Sequence, residues 1–159
     1  MSPRLDYQQQ APQLFHKLVE LGSQVRKSSL PPSMIDLINL RASQLNGCAF
    51  CVDMHVKEAT IRGERPLRLH HVAIWRESEL FSPRERAALA WTETLTQIPR
   101  DGVPDEIYDS VRVELSEKEI SDLTFAIMAI NAWNRVNIAF RIEPGSRDTE
   151  YGLTRAALA

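Results

Sequence analysis

The sequence predicts an all-α fold, and three observations predict it. Apolar residues recur at three- and four-residue spacing along most of the chain, the period of a helix with one buried face. Two capping boxes, Ser82-Pro83-Arg84-Glu85 and Ser116-Glu117-Lys118-Glu119, mark helix starts, the first with proline in its first turn. No segment alternates apolar and polar residues as a half-buried strand does.

Taken in order, residues 1–10 are polar and are expected to extend along the surface. From Ala11 to about Arg26, Leu14, Leu18, Leu21 and Val25 fall at helical spacing, with His16 at a surface position. Ser28-Ser29-Leu30-Pro31-Pro32-Ser33 breaks that helix and sets up the next. The second helix carries Met34, Ile35, Leu37, Ile38, Leu40 and Leu45 on more than one side, so it is expected to be buried or to lie at a subunit contact. Gly47 ends it. A third helix runs from the Cys48 region through Val56, Ala59 and Thr60 to Gly63, a natural C-terminal glycine. The second and third helices thus form a helical hairpin with its bend at Asn46-Gly47. After Pro66, the residues Leu69, Val72, Ala73 and Trp75 predict a short fourth helix. Ser82 opens a fifth, with Ala88, Trp91 and Leu95 on its apolar side. Pro99–Pro104 reads as a loop, and a short helix is expected around Asp105–Val113. The last long helix starts at Ser116, places Ile120, Leu123, Ile127, Ile130 and Ile138 on one side, and is stopped by Pro144-Gly145. The tail to Ala159 has no clear pattern.

The chemistry concentrates at that predicted bend. Cys48 and Cys51 are the only cysteines in the 159-residue chain, and His55 follows the second by four residues. In a helix beginning at or just before Cys48 the three would share one face. Asn46 is placed to cap that helix. A thiol at a helix N-terminus feels the positive end of the dipole, which favours its thiolate. Imidazole one turn away is suited to take a thiol proton near neutral pH. A C-x-x-C pair is also compatible with half of a zinc site or with two inert buried thiols. Zinc would need further ligands, and only His16, His70, His71 or a carboxylate remain to supply them. The arrangement reads best as a reactive dithiol, with no metal.

Composition narrows the classes. Formal net charge is −2, which gives no reason to expect a nucleic-acid or anionic-membrane partner. No apolar run reaches the length needed to cross a bilayer. The N-terminal stretch lacks the apolar centre of a signal peptide, so a cytoplasmic, reducing location is expected.

The run Ser43-Gln44-Leu45-Asn46-Gly47-Cys48-Ala49-Phe50-Cys51-Val52-Asp53-Met54-His55 resembles the signature of the alkylhydroperoxidase AhpD-like branch of the carboxymuconolactone decarboxylase family. The resemblance extends to Phe81–Leu89 and to Ala129–Arg135, covering most of residues 34–140 within an expected single domain of residues 1–159. It implies an AhpD-like helical fold, a homo-oligomer (trimer or hexamer), and thiol-dependent, cofactor-independent reduction of a hydroperoxide substrate. Electrons would come from an external dithiol or thioredoxin-like reductant. By resemblance, Cys51 attacks the peroxide, Cys48 resolves the sulfenic acid as a disulfide, and His55 relays the proton. The family's glutamate, twelve residues before the first cysteine, falls on Asp36, one methylene shorter. Phe50 stands where well-studied members have a histidine. Asp36 has an equally good reading as a helix-start carboxylate three residues after a Ser33 cap. Glu85 is open to a role as substitute carboxylate, though its capping box accounts for it. Asn131, Trp133, Asn134 and Arg135 also resemble family positions and read as a buried or inter-subunit hydrogen-bond network late in a helix rather than a catalytic set. The decarboxylase side of the family lacks the cysteine pair, so that activity does not transfer. A different class of function also fits: a redox-sensing oligomer in which the disulfide alters assembly and turnover is negligible.

Overall fold

The computed structural model describes residues 2–158, and among these the secondary structure is entirely helical. The elements are α1 (Tyr7–Gln10), α2 (Pro12–Val25), α3 (Pro32–Asn46), α4 (Ala49–Ile61), α5 (Pro66–His71) running into a 3₁₀ segment (Val72–Glu77), α6 (Pro83–Thr96), α7 (Asp105–Glu114), α8 (Glu117–Phe140), and α9 (Asp148–Tyr151) followed by a 3₁₀ turn (Leu153–Ala156). Both capping boxes form as expected: Ser82 and Ser116 each accept the N–H of the glutamate three residues on, and each glutamate returns the bond.

Helix α3 is the centre of the fold and packs against α4, α6 and α8. Its apolar residues face two ways because they serve two clusters. Met34, Ile35 and Ile38 join Ala88, Trp91, Leu123 and Ile127. Leu37 and Leu40 join Ala59, Val72, Trp75, Phe81 and Leu89. Of the two expectations for this helix, burial within the chain is the one realised, and the apolar faces that suggested a subunit contact are used internally. α3 also begins earlier than a Ser33 cap requires. Its N-cap is Pro31 and no side chain caps it, so Asp36 lies beyond the first turn and does not serve the helix start.

Both chain ends depart from expectation, for physical reasons. Asp6 accepts the N–H groups of Gln8 and Gln9 at 3.0 and 3.2 Å, nucleating α1 where an extended strand of chain was expected. Arg4 then bonds to the C-terminal end of α8, its backbone N–H to Phe140 O and its Nη1 to Ala139 O, both at 3.0 Å. The tail after α8 is ordered against α4, burying Leu153 and Ala156. Its anchor is ionic: Lys57 Nζ meets Asp53 at 2.8 Å and Asp148 at 2.6 Å, while Gly145 N–H donates to Asp53 at 3.0 Å.

The turn between α2 and α3 is tied to α8 by one carboxylate. Asp122 accepts Ser29 N–H at 2.9 Å and Ser29 Oγ–H at 2.7 Å and pairs with Lys118. The backbone bond from Ser29, then Lys118 and the Ser29 hydroxyl, lower its pKa to about 2. A carboxylate depressed in the folded state stabilises above its unfolded pKa, and that stability is lost as pH falls through the folded value. We therefore expect Asp122→Asn to cost on the order of 1 kcal/mol at neutral pH. The difference from wild type should shrink between pH 4 and pH 2 in acid-titrated thermal melts (about the interval between unfolded and folded values).

Candidate active site

The α3–α4 bend places the dithiol. Gly47 ends α3 in the left-handed conformation (φ +69°), where a side chain would be strained. The turn is closed by Gly47 N–H to Gln44 O and Cys48 N–H to Ser43 O. Asn46 is the last residue of α3, and the helix-capping role expected of it falls to Cys48. Cys48 Sγ accepts Cys51 N–H at 3.3 Å, so the sulfur stands where a serine oxygen usually does. Cys48 and Cys51 are joined as a disulfide, Cα atoms 5.3 Å apart. The two are 1% and 0% exposed and pack with Phe50, Met54 and Ile142. A surface recess of about 560 Å³ reaches Cys48 between Gln44, Gly47, Val52 and Leu158.

One turn along α4, buried His55 directs Nδ1 to Glu58 Oε2 at 2.8 Å. Burial pushes the Glu58 carboxyl up. The bond and charge of His55, with Arg62 and Arg26, outweigh burial and leave it below its ordinary value. An ionised carboxylate can only accept, so the Nδ1 facing it carries a proton. His55 Nε2 is buried and, among the described residues, has no hydrogen-bond partner. A buried imidazole nitrogen without a partner is available to a group that exchanges a proton with it.

The sequence-derived candidates are distributed as follows. Cys48, Cys51 and His55 lie together on α4. Asp36 faces the same region from α3 but is held in a two-point ion pair by Arg62, whose Nε is 2.7 Å from Asp36 Oδ2 and whose Nη2 meets Oδ1. Burial raises the Asp36 carboxyl, and the bond and charge of Arg62 partly offset the rise. Arg62 also approaches Glu58 at 3.8 Å. The carboxylate on His55 is therefore Glu58, with Asp36 one step behind through Arg62. Glu85 is engaged by Ser82 and by Arg68 at 2.6 Å, as its capping-box reading requires. His16 and His70 are exposed, and His71 bonds Ser78 at 3.0 Å. Among the described residues, no three His, Cys, Asp or Glu side chains gather as a metal site.

The asparagine network on α8 is realised and locks the bend. Asn46 Nδ2 donates to Asn131 and Asn134 at 3.0 and 2.8 Å. Asn134 donates to Ser43 at 3.0 Å, and Asn131 to Thr96 at 3.0 Å. Arg135 donates to Asn131 at 2.9 Å, while Trp133 instead meets Phe15 edge-on at 6.0 Å. Two site residues escaped the sequence reading. Glu58 sits at i+3 from His55, a helical pair visible in the sequence. Asn137 continues the three-residue spacing of Asn131 and Asn134 along the buried side of α8. Its Nδ2 lies 3.5 Å from Cys51 Sγ.

Comparison with known proteins identifies the family and the fold. Residues 12–94 match the model of the carboxymuconolactone decarboxylase family. The uncharacterized protein YdfG of Bacillus subtilis (strain 168) is 40% identical over 139 residues, spanning 87% of this chain and 95% of that protein. A crystal structure of Agrobacterium tumefaciens ATU0492, a protein of unknown function assigned provisionally as the antioxidant defence protein AhpD, superposes with TM-score 0.87 at 40% identity. It covers 90% of this chain and 98% of that one. The debrominase Bmp8, at 19% identity and TM-score 0.77 over 92% of this chain and 78% of its own, shares the fold.

Proposed function

The chain belongs to the carboxymuconolactone decarboxylase family, and from that premise we propose that it is a thiol-dependent peroxidase that reduces hydroperoxides with electrons from an external dithiol. One observation carries the reading: the Cys48–Cys51 disulfide heads α4 one turn before a buried His55 oriented by Glu58. The relative from Agrobacterium tumefaciens, provisionally placed in antioxidant defence, supports it.

In the reduced protein, His55 Nε2 takes the Cys51 thiol proton. The Cys51 thiolate attacks the terminal peroxide oxygen, an S–O bond forms, the O–O bond breaks, and the departing alkoxide takes the proton from His55 to leave as an alcohol. Cys48 then attacks the sulfenic sulfur, water leaves, and the disulfide forms. An external dithiol restores both thiols by exchange, becoming a disulfide itself. The recess beside Cys48 is the open approach for that dithiol. Cys51 is then the leaving thiolate, favoured by its donor Asn137. Asp36 acts behind this chemistry, holding Arg62 beside Glu58.

The assembly is a homo-oligomer in this reading. The outer side of α8, where Phe125 and Met128 are 52% and 55% exposed, offers an apolar face for it. The burial of both sulfurs favours a second reading, a redox-sensing oligomer with little turnover. One experiment separates the two. Hydroperoxide consumption is followed with a dithiol in excess, across several hydroperoxides, beside light scattering of the oxidised and reduced forms. Many equivalents consumed per chain support the peroxidase. Consumption that stops near one equivalent, with a change in oligomer size, favours the sensor. An 18.1 kDa species alone ends the oligomer.

A further inference from the structure

Asn137 belongs to no chemistry described so far except through its contact with sulfur, and its surroundings are unusually determined. Its Nδ2 is 3.5 Å from Cys51 Sγ, and its Oδ1 accepts the Tyr7 hydroxyl at 3.3 Å. The residue is buried, 4% exposed. Tyr7 in turn is clamped. Its ring stacks on Phe140 at 5.6 Å and meets Phe15 edge-on at 6.0 Å. It begins α1 immediately after the Asp6 cap, and Arg4 ties the segment to the last turn of α8. Burial raises the Tyr7 pKa despite opposing contributions from Gln8 and Arg147, so the phenol remains a donor throughout the neutral range.

An amide has a donating and an accepting end, and with the Tyr7 hydroxyl donating to Oδ1 the donating Nδ2 is the end that faces the sulfur. A donor aimed at a thiol lowers its pKa because the bond strengthens when the sulfur becomes anionic. We propose that Asn137, oriented by Tyr7 from the docked N-terminal segment, is the hydrogen-bond donor that sets the thiolate character of Cys51. Asn137 touches the reacting atom. Tyr7 is a positioning residue that acts through it. The N-terminal segment, polar and unpatterned in sequence, is thereby part of the site.

This inference rests on Cys51 being the reactive thiol, so its test is made without peroxide. The background is Cys48→Ser, in which Cys51 alone titrates, followed by thiolate absorbance against pH. The other ionisable groups here are His55 with Glu58 on α4, Asp36 and Arg62 behind them, and Asp6, Arg147 and Glu150 around Tyr7. They are unchanged in every arm of the test. Asn137→Ala should raise the Cys51 midpoint by about one unit, about tenfold less thiolate at a given pH below it. Tyr7→Phe keeps the ring contacts, loses only the hydroxyl, and should raise the midpoint in the same direction by about threefold in thiolate. Adding Tyr7→Phe to Asn137→Ala should change nothing further, because the path is already broken. If Asn137→Ala does not fold, the Tyr7→Phe shift decides alone. A Tyr7→Phe midpoint equal to that of the background, or an additive double variant, overturns the proposal. A failed peroxide assay with the expected titrations would instead reject the peroxidase and leave the Asn137 assignment standing.

Discussion

Cys51→Ser is expected to bring dithiol-driven hydroperoxide consumption to background, while Cys48→Ser still reacts once and then stalls. The two cysteines are not equivalent in this site. Cys48 has the better claim on the helix dipole: it is the N-cap, and its sulfur already receives Cys51 N–H. Cys51 has the base and the donor. His55 lies one turn beyond it on the same side of α4, and Asn137 faces its sulfur at 3.5 Å. Cys48 also borders the recess, the better place for exchange with an external thiol. These placements divide the work in one direction. Cys51 meets the peroxide, and Cys48 closes the disulfide and later opens it. Consumption traces on the two variants, with hydroperoxide in excess, read this directly. Equal loss of the first turnover in both would remove the distinction.

The next largest effect is expected at His55. His55→Ala should slow the reaction of reduced protein with hydroperoxide by roughly 10²–10⁴-fold, the usual worth of a positioned base. The deficit should narrow as rising pH ionises the Cys51 thiol unaided. Glu58→Gln leaves the imidazole in place but removes the charge that fixes its tautomer, so a smaller loss, about tenfold, is expected. Glu58 also contributes to stability. Its pKa is depressed on folding, so that contribution is present above its unfolded value and lost as pH falls through the folded one. Asp36→Asn behaves differently. It exchanges a carboxylate whose charge burial already disfavours for an amide, and Arg62, whose side chain is 43% exposed, can regain water, so little stability should be lost. The rate should fall less than in Glu58→Gln. Stopped-flow rates and thermal melts on the same three variants separate base, orienting carboxylate and supporting pair. A rate loss in Asp36→Asn matching that of His55→Ala would make Asp36 the direct relay.

The helical class, both capping boxes, the hairpin bend and the Cys48–Cys51–His55 group were legible because each is a local pattern. Spacing fixes a helical face, and a serine with a glutamate three residues on fixes a start. What stayed hidden depends on partners distant in sequence. The two-sided apolar pattern of α3 cannot say whether its second face meets another helix or another chain. Here Leu37 and Leu40 meet Trp75, Phe81 and Leu89. Asp36 reads as a cap until Arg62, twenty-six residues away, claims it. Tyr7 reads as part of a polar leader until Phe140, Phe15 and Asn137 surround it. The tail has no periodicity to read, yet Lys57 gathers it through Asp148. Glu58 is the exception, since its i+3 relation to His55 is itself a local pattern.

The proposed chemistry turns on which sulfur meets the oxidant. Reduced Cys48→Ser and Cys51→Ser proteins are each given one equivalent of hydroperoxide in the presence of dimedone, and the adduct is located by peptide mass spectrometry. The proposed assignment gives an adduct on Cys51 in the Cys48→Ser protein and none on Cys48 in the Cys51→Ser protein. An adduct on Cys48 alone, or on neither sulfur, would contradict it.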